Sequence, residues 1–333
     1  MDRPIVFHWR YLRAIALSLL AFVIVTACGS NAVVSESGSL TPSDCRMVSH
    51  AMGETCVPNN PQRIVVLGGL DYALSLGVTP IGSDAVGPDE YYLKERVNGI
   101  ADVGGTDAPS LEKILALKPD FILGGDYVNS SYNALSQIAP TVLISYDHSG
   151  EWKDFLMDYA EVLGKTAEAE QVMDGYYQRL EDFQQQMETR TTTIDVSIVR
   201  VYPTHINLYL KDSFCGTIVA DAGLSRPPSQ NFTASEANAL FSNPIQYEIS
   251  REKIPDIDGD VVFLWTYGHQ DEIARQAQTQ KEKLKSDPLW ATLTAIQQDR
   301  VYEVPGYWIG DGPIAAHAVI DDLFKYFVET PQS

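Results

Sequence analysis

The passage Ser110-Leu111-Glu112-Lys113-Ile114 returns 140 residues later as Ser250-Arg251-Glu252-Lys253-Ile254, and the two copies stay aligned beyond it without a gap. In each copy an Asp follows the Glu by eight positions, as Asp120 and Asp260. Each Asp opens an apolar run, Phe121-Ile122-Leu123 in one and Val261-Val262-Phe263-Leu264 in the other. Tyr127 then aligns with Tyr267, giving six identities in eighteen positions. The pattern is a helix start that feeds a strand, used twice. Two halves built on one plan imply two lobes with a cleft between them, each lobe presenting one Glu at an equivalent surface position.

Outward from the first copy, Arg63-Ile64-Val65-Val66-Leu67 reads as a buried strand, followed by a short helix through Tyr72-Ala73-Leu74 that stops at Gly77 and a short strand at Pro80-Ile81-Gly82. After the strand Phe121 to Gly124 come a helix around Asn133 to Ile138 and a strand from Thr141 to Ile144. Strands alternating with helices predict an α/β fold with mainly parallel sheets. From Glu151 to about Glu188 the pattern is helical, with Val172, Tyr176, Leu180, Phe183 and Met187 on one face, and this long rigid helix is expected to bridge the lobes. The second half opens with Val196-Ser197-Ile198-Val199 and Ile206-Asn207-Leu208-Tyr209, and closes with a strand at Val301 to Val304 and a helix from about Pro313 to Phe327. The expected organisation is a signal peptide over 1–27, a tether and N-terminal arm over 28–57, an N-terminal lobe over 58–150, the interlobe helix over 151–189 and a C-terminal lobe over 190–333.

Arg3, Arg10 and Arg13 precede an apolar stretch from Ala14 to Ala27 that is too short to span a bilayer and ends in Val25-Thr26-Ala27-Cys28. This is a signal peptide, and small residues before a Cys resemble the bacterial lipobox, in which the Cys (here Cys28) becomes the lipid-carrying N-terminus. The small, polar residues from Gly29 to Ser43 suit a flexible tether. Removing residues 1–27 takes away three Arg and one Asp and leaves 21 basic against 43 acidic residues, a net charge of −22. That balance argues against nucleic acid and against an electrostatically bound membrane surface. Cys45 and Cys56, in an exported chain, are candidates for a disulfide that pins the arm. Cys215, among Phe214 and Gly216-Thr217-Ile218-Val219, reads as a buried small hydrophobe.

Four stretches carry a wider resemblance: Val57 through Leu67, Asp102-Val103-Gly104 through Asp120, Arg226-Pro227-Pro228, and Asp287-Pro288-Leu289-Trp290 through Trp308. In this order they resemble the bacterial binding proteins for ferric siderophores, ferric citrate, haem and vitamin B12 that serve ABC importers. The resemblance implies two αβ lobes joined by one rigid helix, a shallow interlobe cleft for the ligand and little hinge motion. It also implies permease and ATPase partners, a monomer lipid-anchored in the cell envelope, and docking of Glu112 and Glu252 onto permease Arg residues. A carboxylate in the first turn of a helix is favoured by the helix dipole and stays charged, which is compatible with such docking.

For the cleft, Tyr127 and Tyr267 stand just beyond the repeat strands, where open αβ sheets bind ligands; Tyr209 ends its strand, Trp265 lies near Tyr267, and Tyr307 and Trp308 follow the last strand. These aromatics offer flat surface to an organic chelate or pack the lobes. Arg200 and Arg226 either pair with neighbouring carboxylates or await an anionic ligand. Hydroxamate-binding relatives tend to carry an Arg where this chain has Gly105-Thr106-Asp107-Ala108, which weakens a hydroxamate and favours a citrate-based or mixed chelate. The reading is therefore a binding component that captures a ferric chelate, with no resident cofactor and no metal site of its own. The six scattered His show no zinc pattern. Bare ferric ion held by Tyr91-Tyr92 or Tyr176-Tyr177, and haem held by Tyr127, Tyr267 or His269, stand as rivals. No nucleophile elbow or phosphate loop nominates a catalytic residue.

Overall fold

The structure, a computed structural model, describes residues 44–84, 86, 88–106, 108–266 and 271–329. The signal peptide, Cys28, the tether, Asp107, Tyr267 and His269 lie outside the described residues.

The described chain begins with a hairpin, β1 (Cys45–His50) and β2 (Gly53–Pro58), closed by a disulfide between Cys45 and Cys56. The first lobe follows as β3 (Ile64–Leu67), α1 (Leu70–Ser75), β4 (Gly82–Ser83), β5 (Ala101–Asp102), the small ribbon β6 (Gly104–Gly105) and β7 (Ala108–Pro109), α2 (Leu111–Leu117), β8 (Phe121–Gly125), α3 (Tyr132–Leu135) and β9 (Thr141–Ile144). Its sheet runs β5-β4-β3-β8-β9 and is parallel throughout. Buried on both faces, these strands read as unbroken apolar runs such as Ile64-Val65-Val66-Leu67. The hairpin covers the exposed edge of β9: Ala51 N donates to Leu143 O at 3.0 Å and Thr55 Oγ1 to Thr141 O at 3.0 Å.

The expected single bridge is two helices. α4 (Trp152–Leu163) ends at Gly164, which takes a left-handed φ of 68°, and α5 (Thr166–Met187) restarts at once. Its 22 residues bury Tyr176, Leu180, Phe183 and Met187, the stripe expected from the spacing. The second lobe holds β10 (Val196–Val201), β11 (Ile206–Tyr209), α6 (Phe214–Asp221), α7 (Ala234–Phe241), β12 (Gln246–Ile249), β13 (Val261–Thr266), α8 (Asp271–Lys285), α9 (Thr294–Gln297), β14 (Val301–Glu303) and α10 (Pro313–Leu323). Its sheet order is β12-β11-β10-β13-β14. β10, β13 and β14 are parallel, whereas β11 and β12 are antiparallel additions. The second repeat helix, Arg251–Ile257, is a 3₁₀ helix because Pro255 lies inside it and removes an α-helical hydrogen bond.

The repeat extends to function within the fold. Asp120 accepts from Gln62 N (2.7 Å) and Arg63 N (2.9 Å) at the start of β3, and Asp260 accepts from Asp195 N (2.8 Å) just before β10. Each Asp thus satisfies orphan donors where the neighbouring parallel strand begins. One apolar core joins both lobes, running from Ile64, Tyr72 and Phe121 through Trp152, Tyr176 and Phe183 to Ile198, Phe263 and Trp308. Two smaller cores, around Ile122 and Ile114 and around Leu264 and Ile254, back the outer faces of the sheets.

Across this shared core, Asp71 of α1 caps a helix 243 residues away, its carboxylate accepting from Ile314 N (2.8 Å) and Ala315 N (2.9 Å) of α10. Gly312, just before α10, supplies no side-chain cap, and a Cβ there would stand 2.4 Å from the Asp71 carboxyl carbon. The distant aspartate takes the place of a local cap. Trp152 Nε1 donates to Thr217 Oγ1 at 3.1 Å, Tyr176 OH to Asp221 at 2.6 Å, and Lys153 pairs with Asp221. Among the described residues no helix is long and apolar enough to cross a membrane.

Candidate functional site

Because β3, β4, β5 and β8 are parallel, their carboxyl ends lie on one edge of the first sheet, and that edge carries Gly68, Asp84 and Tyr127. The Tyr127 ring is 42% exposed, but its hydroxyl is tucked down, donating to Leu67 O at 3.0 Å. Gly68, at φ 60°, makes this possible: a Cβ there would fall on the Tyr127 hydroxyl. Asp84 accepts from Gly68 N at 2.8 Å, and its buried Oδ2 makes no hydrogen bond of good geometry among the described residues. Burial and then the Asp84 charge raise the Tyr127 pKa.

Asp311, from the loop before α10, reaches into this edge. Burial, then the Asp84 charge, lifts its pKa from 3.8 to about 6. Burial and the Asp311 charge likewise raise the Tyr72 and Tyr146 hydroxyls. Those two hydroxyls face each other without completing a hydrogen bond of good geometry. The carboxyl-end edge of the first sheet is therefore acidic and phenolic.

The corresponding edge of the second sheet carries a base, Arg200. In the second sheet Arg200 pairs in register with Asn207 on one side and Trp265 on the other, near the carboxyl ends of β10 and β13. Arg200 Nη1 donates to Tyr209 OH at 3.0 Å, and its guanidinium lies 4.1 Å from the Tyr202 ring centre. Tyr209 meets Trp265 edge-on at 4.9 Å between ring centres. Burial outweighs Arg200 and raises the Tyr209 pKa. Sequence reasoning missed Asp84, Asp311 and Tyr202; a polar residue directly after a strand was the available signal for Asp84 and Tyr202.

Four expected ligand contacts, Trp265, Trp308, Tyr209 and Arg226, sit deeper than a ligand surface, and Arg200 is itself only 8% exposed. Trp265 and Trp308 are 1% and 0% exposed, because they fill the shared core. Trp308 Nε1 and Tyr307 OH both donate to Asp322, at 2.8 and 2.9 Å. Arg226 is buried as a bracket: Nη2 donates to Tyr209 O and Gln230 Oε1, both at 2.5 Å, while Nε and Nη1 make no hydrogen bond among the described residues. Burial lowers its pKa to about 10. Tyr307, half-buried, faces Tyr92 of the first lobe at 6.3 Å between ring centres. Tyr176 is a core residue bonded to Asp221, which removes it from any phenolate site.

Glu112 and Glu252 occupy matching positions. In both copies three exposed residues precede a buried Ile, Ile114 or Ile254. Glu112 lies on α2, reached from the end of β5 through the β6–β7 ribbon, and Glu252 follows the end of β12, whose Ile249 pairs with Ile206 beside the carboxyl end of β10. Both glutamates thus stand at the edge of their sheet where the strands carry their carboxyl ends. The Glu252 carboxylate is held below the usual range by its own backbone N–H and the Ser250 hydroxyl.

Residues 65–307 match the model of the family described as periplasmic binding protein. The chain belongs to that family. It is 33% identical over 332 residues to a probable siderophore-binding lipoprotein, YfiY, of Bacillus subtilis, covering 96% of this chain and 99% of the relative. It is 29% identical to the achromobactin-binding periplasmic protein of Dickeya dadantii, covering 80% of this chain and 86% of that one. Among solved structures it resembles Staphylococcus aureus SirA complexed with staphyloferrin B, with a TM-score of 0.73, 28% identity, and coverage of 84% of this chain and 98% of that one.

Proposed function

We propose that this protein is the ligand-binding component of an iron-siderophore ABC importer, taking an anionic ferric chelate as cargo into the interlobe cleft and handing it to a permease. The observation that carries this is Arg200: a guanidinium at the strand-end edge, oriented by Tyr209 and Tyr202, in a mature chain of net charge −22. The similarity to proteins named for achromobactin, Fe(3+)-citrate and staphyloferrin B supports a carboxylate-bearing chelate. The role is binding and delivery, without catalysis or a resident cofactor. Glu112 and Glu252 serve docking, and ligand contact falls to Tyr127, Arg200 and Tyr307, with the buried Tyr209 orienting Arg200 and Tyr267 at the place in the repeat that corresponds to Tyr127. Processing at Cys28 leaves a lipid-anchored monomer on the outer side of the cytoplasmic membrane; loss of lipid labelling in Cys28→Ser checks the anchor.

Titration of ferric citrate and of a neutral ferric hydroxamate, followed by tryptophan fluorescence, tests the ligand. Arg200→Gln should weaken the anionic chelate about ten- to a hundredfold, roughly 1.5 to 3 kcal/mol, and the neutral one far less. Equal losses would make Arg200 a support of the fold and refute the charge reading.

A further inference from the structure

The carboxyl-end edge of the first sheet holds two carboxylates that no base balances. Asp84 is met by the Gly68 N–H at 2.8 Å and by the hydroxyls of Ser83 and Thr106, and Asp311 by its own backbone N–H. Neither forms an ion pair among the described residues. Asp221 and Asp287, by contrast, carry Lys153 and Arg251 as partners.

Four phenols and a phenyl ring stand around the pair. Tyr72 lies 5.0 Å from Phe155 and 5.7 Å from Tyr159 between ring centres, and Tyr146 lies 4.8 Å from Phe155. The Tyr127 and Tyr159 hydroxyls are spent on the Leu67 and Gly68 carbonyls. Those of Tyr72 and Tyr146 are not. Both are buried in the field of Asp311 without a hydrogen bond of good geometry, and Tyr72 is 0% exposed. The buried Asp84 Oδ2 is a third unused acceptor. Unsatisfied buried oxygens, unpaired carboxylates and aromatic faces in one place suit a small cation with several N–H donors.

Two carboxylates and neutral phenols leave a hard divalent ion short of the six or more oxygen ligands it takes. Among the described residues no three His, Cys, Asp or Glu side chains gather as they would around a metal ion. A primary ammonium brings three donors for these oxygens and one charge for the pair. We propose that the chelate carries a free primary ammonium, which Asp84 and Asp311 receive beside Tyr72, Tyr127 and Tyr146. This rests on the reading of the protein as a ferric-chelate binder whose Arg200 faces ligand carboxylates, and it narrows that ligand to a zwitterionic one. Asp311 faces Asp84 and the phenols Tyr72, Tyr127, Tyr146 and Tyr159, on which Asp71, Tyr92 and Glu151 also act. Below about pH 6 Asp311 holds a proton that the ammonium must displace.

The test uses two ferric chelates built on a citric acid amide that differ at one amine, free in the first and N-acetylated in the second, with ferric citrate as a reference. Each is titrated by tryptophan fluorescence against the native protein and Asp311→Asn, at about pH 5 and about pH 7.5. The native protein should bind the free amine about ten- to a hundredfold more tightly than its acetylated form at the higher pH. That preference should shrink at the lower pH, where the proton competes. Asp311→Asn, nearly isosteric, should abolish the preference at both pH values and leave ferric citrate binding unchanged. Equal native affinity for the two amides would overturn the ammonium site while leaving the ferric-chelate reading intact, since both would still bind. A preference that survives in Asp311→Asn would overturn it equally. Failure of all three ferric chelates to bind would remove the underlying reading and this one with it.

Discussion

The three-strand unit β3-β8-β9 of the first lobe and β10-β13-β14 of the second are the same object, and the strands beside them are not. In both units the strands are parallel and an aspartate, Asp120 or Asp260, holds the start of the neighbouring strand. Beyond the unit, the first lobe adds two parallel strands of two residues each, while the second adds the antiparallel pair β11 and β12. The antiparallel turn places Asn207 and Tyr209 beside Arg200 and builds a basic edge. The short parallel strands instead end in Asp84 and leave room for Asp311, giving an acidic one. The shared half makes the fold, and the unshared half gives each strand-end edge its charge.

If one continuous core welds the lobes, the sharpest way to break the comparison is to cut the link that crosses it. Asp71→Ala leaves two backbone N–H groups at the start of α10 without their carboxylate, and should cost about 2 to 4 kcal/mol in a urea unfolding curve. Two separate transitions, one per lobe, would appear if the weld depends on that cap. An unchanged midpoint would show that the cap contributes nothing.

The acidic edge predicts a pH dependence of definite sign. The folded pKa of Asp311 lies above its unfolded value, so its stabilising effect is complete below about pH 4 and is lost as pH rises through about 6. Asp311→Asn should therefore gain stability over the native chain at pH 7 to 8, by an amount on the order of 1 to 3 kcal/mol, and match it near pH 4. A variant less stable at pH 8 would mean that the charged carboxylate is needed there.

The two aspartates of the repeat give the smallest effect and the finest comparison. Asp120→Ala removes two accepted hydrogen bonds and Asp260→Ala one, so losses of about 1 to 2 and about 0.5 to 1.5 kcal/mol are expected, with the first lobe the more sensitive. Chemical denaturation of the two variants side by side measures it. A reversed order would show that the repeat is one of sequence and not of energetics.

Much was legible in the chain because each signal was local. The stripe from Tyr176 to Met187, the apolar strand runs and the duplicated Ser-x-Glu passage are enough to specify two αβ lobes, a bridging helix and a matched pair of surface carboxylates. Periodicity shows itself in any window long enough to hold it. It did not show that Gly164 would break the bridge in two, because one glycine in a helical pattern is tolerated as often as it terminates. Nor could it tell an exposed aromatic from a core one: Trp265 and Trp308 have strand-end positions like Tyr127, yet neighbours such as Tyr209, Phe263 and Asp322 of α10 put both in the core. The strand-end charges were likewise beyond it, since Asp84 and Asp311 stand 227 residues apart and Arg200 and Trp265 meet only through the register of β10 with β13. Burial and charge proximity are properties of what surrounds a residue in space, and the tertiary structure alone supplies those neighbours.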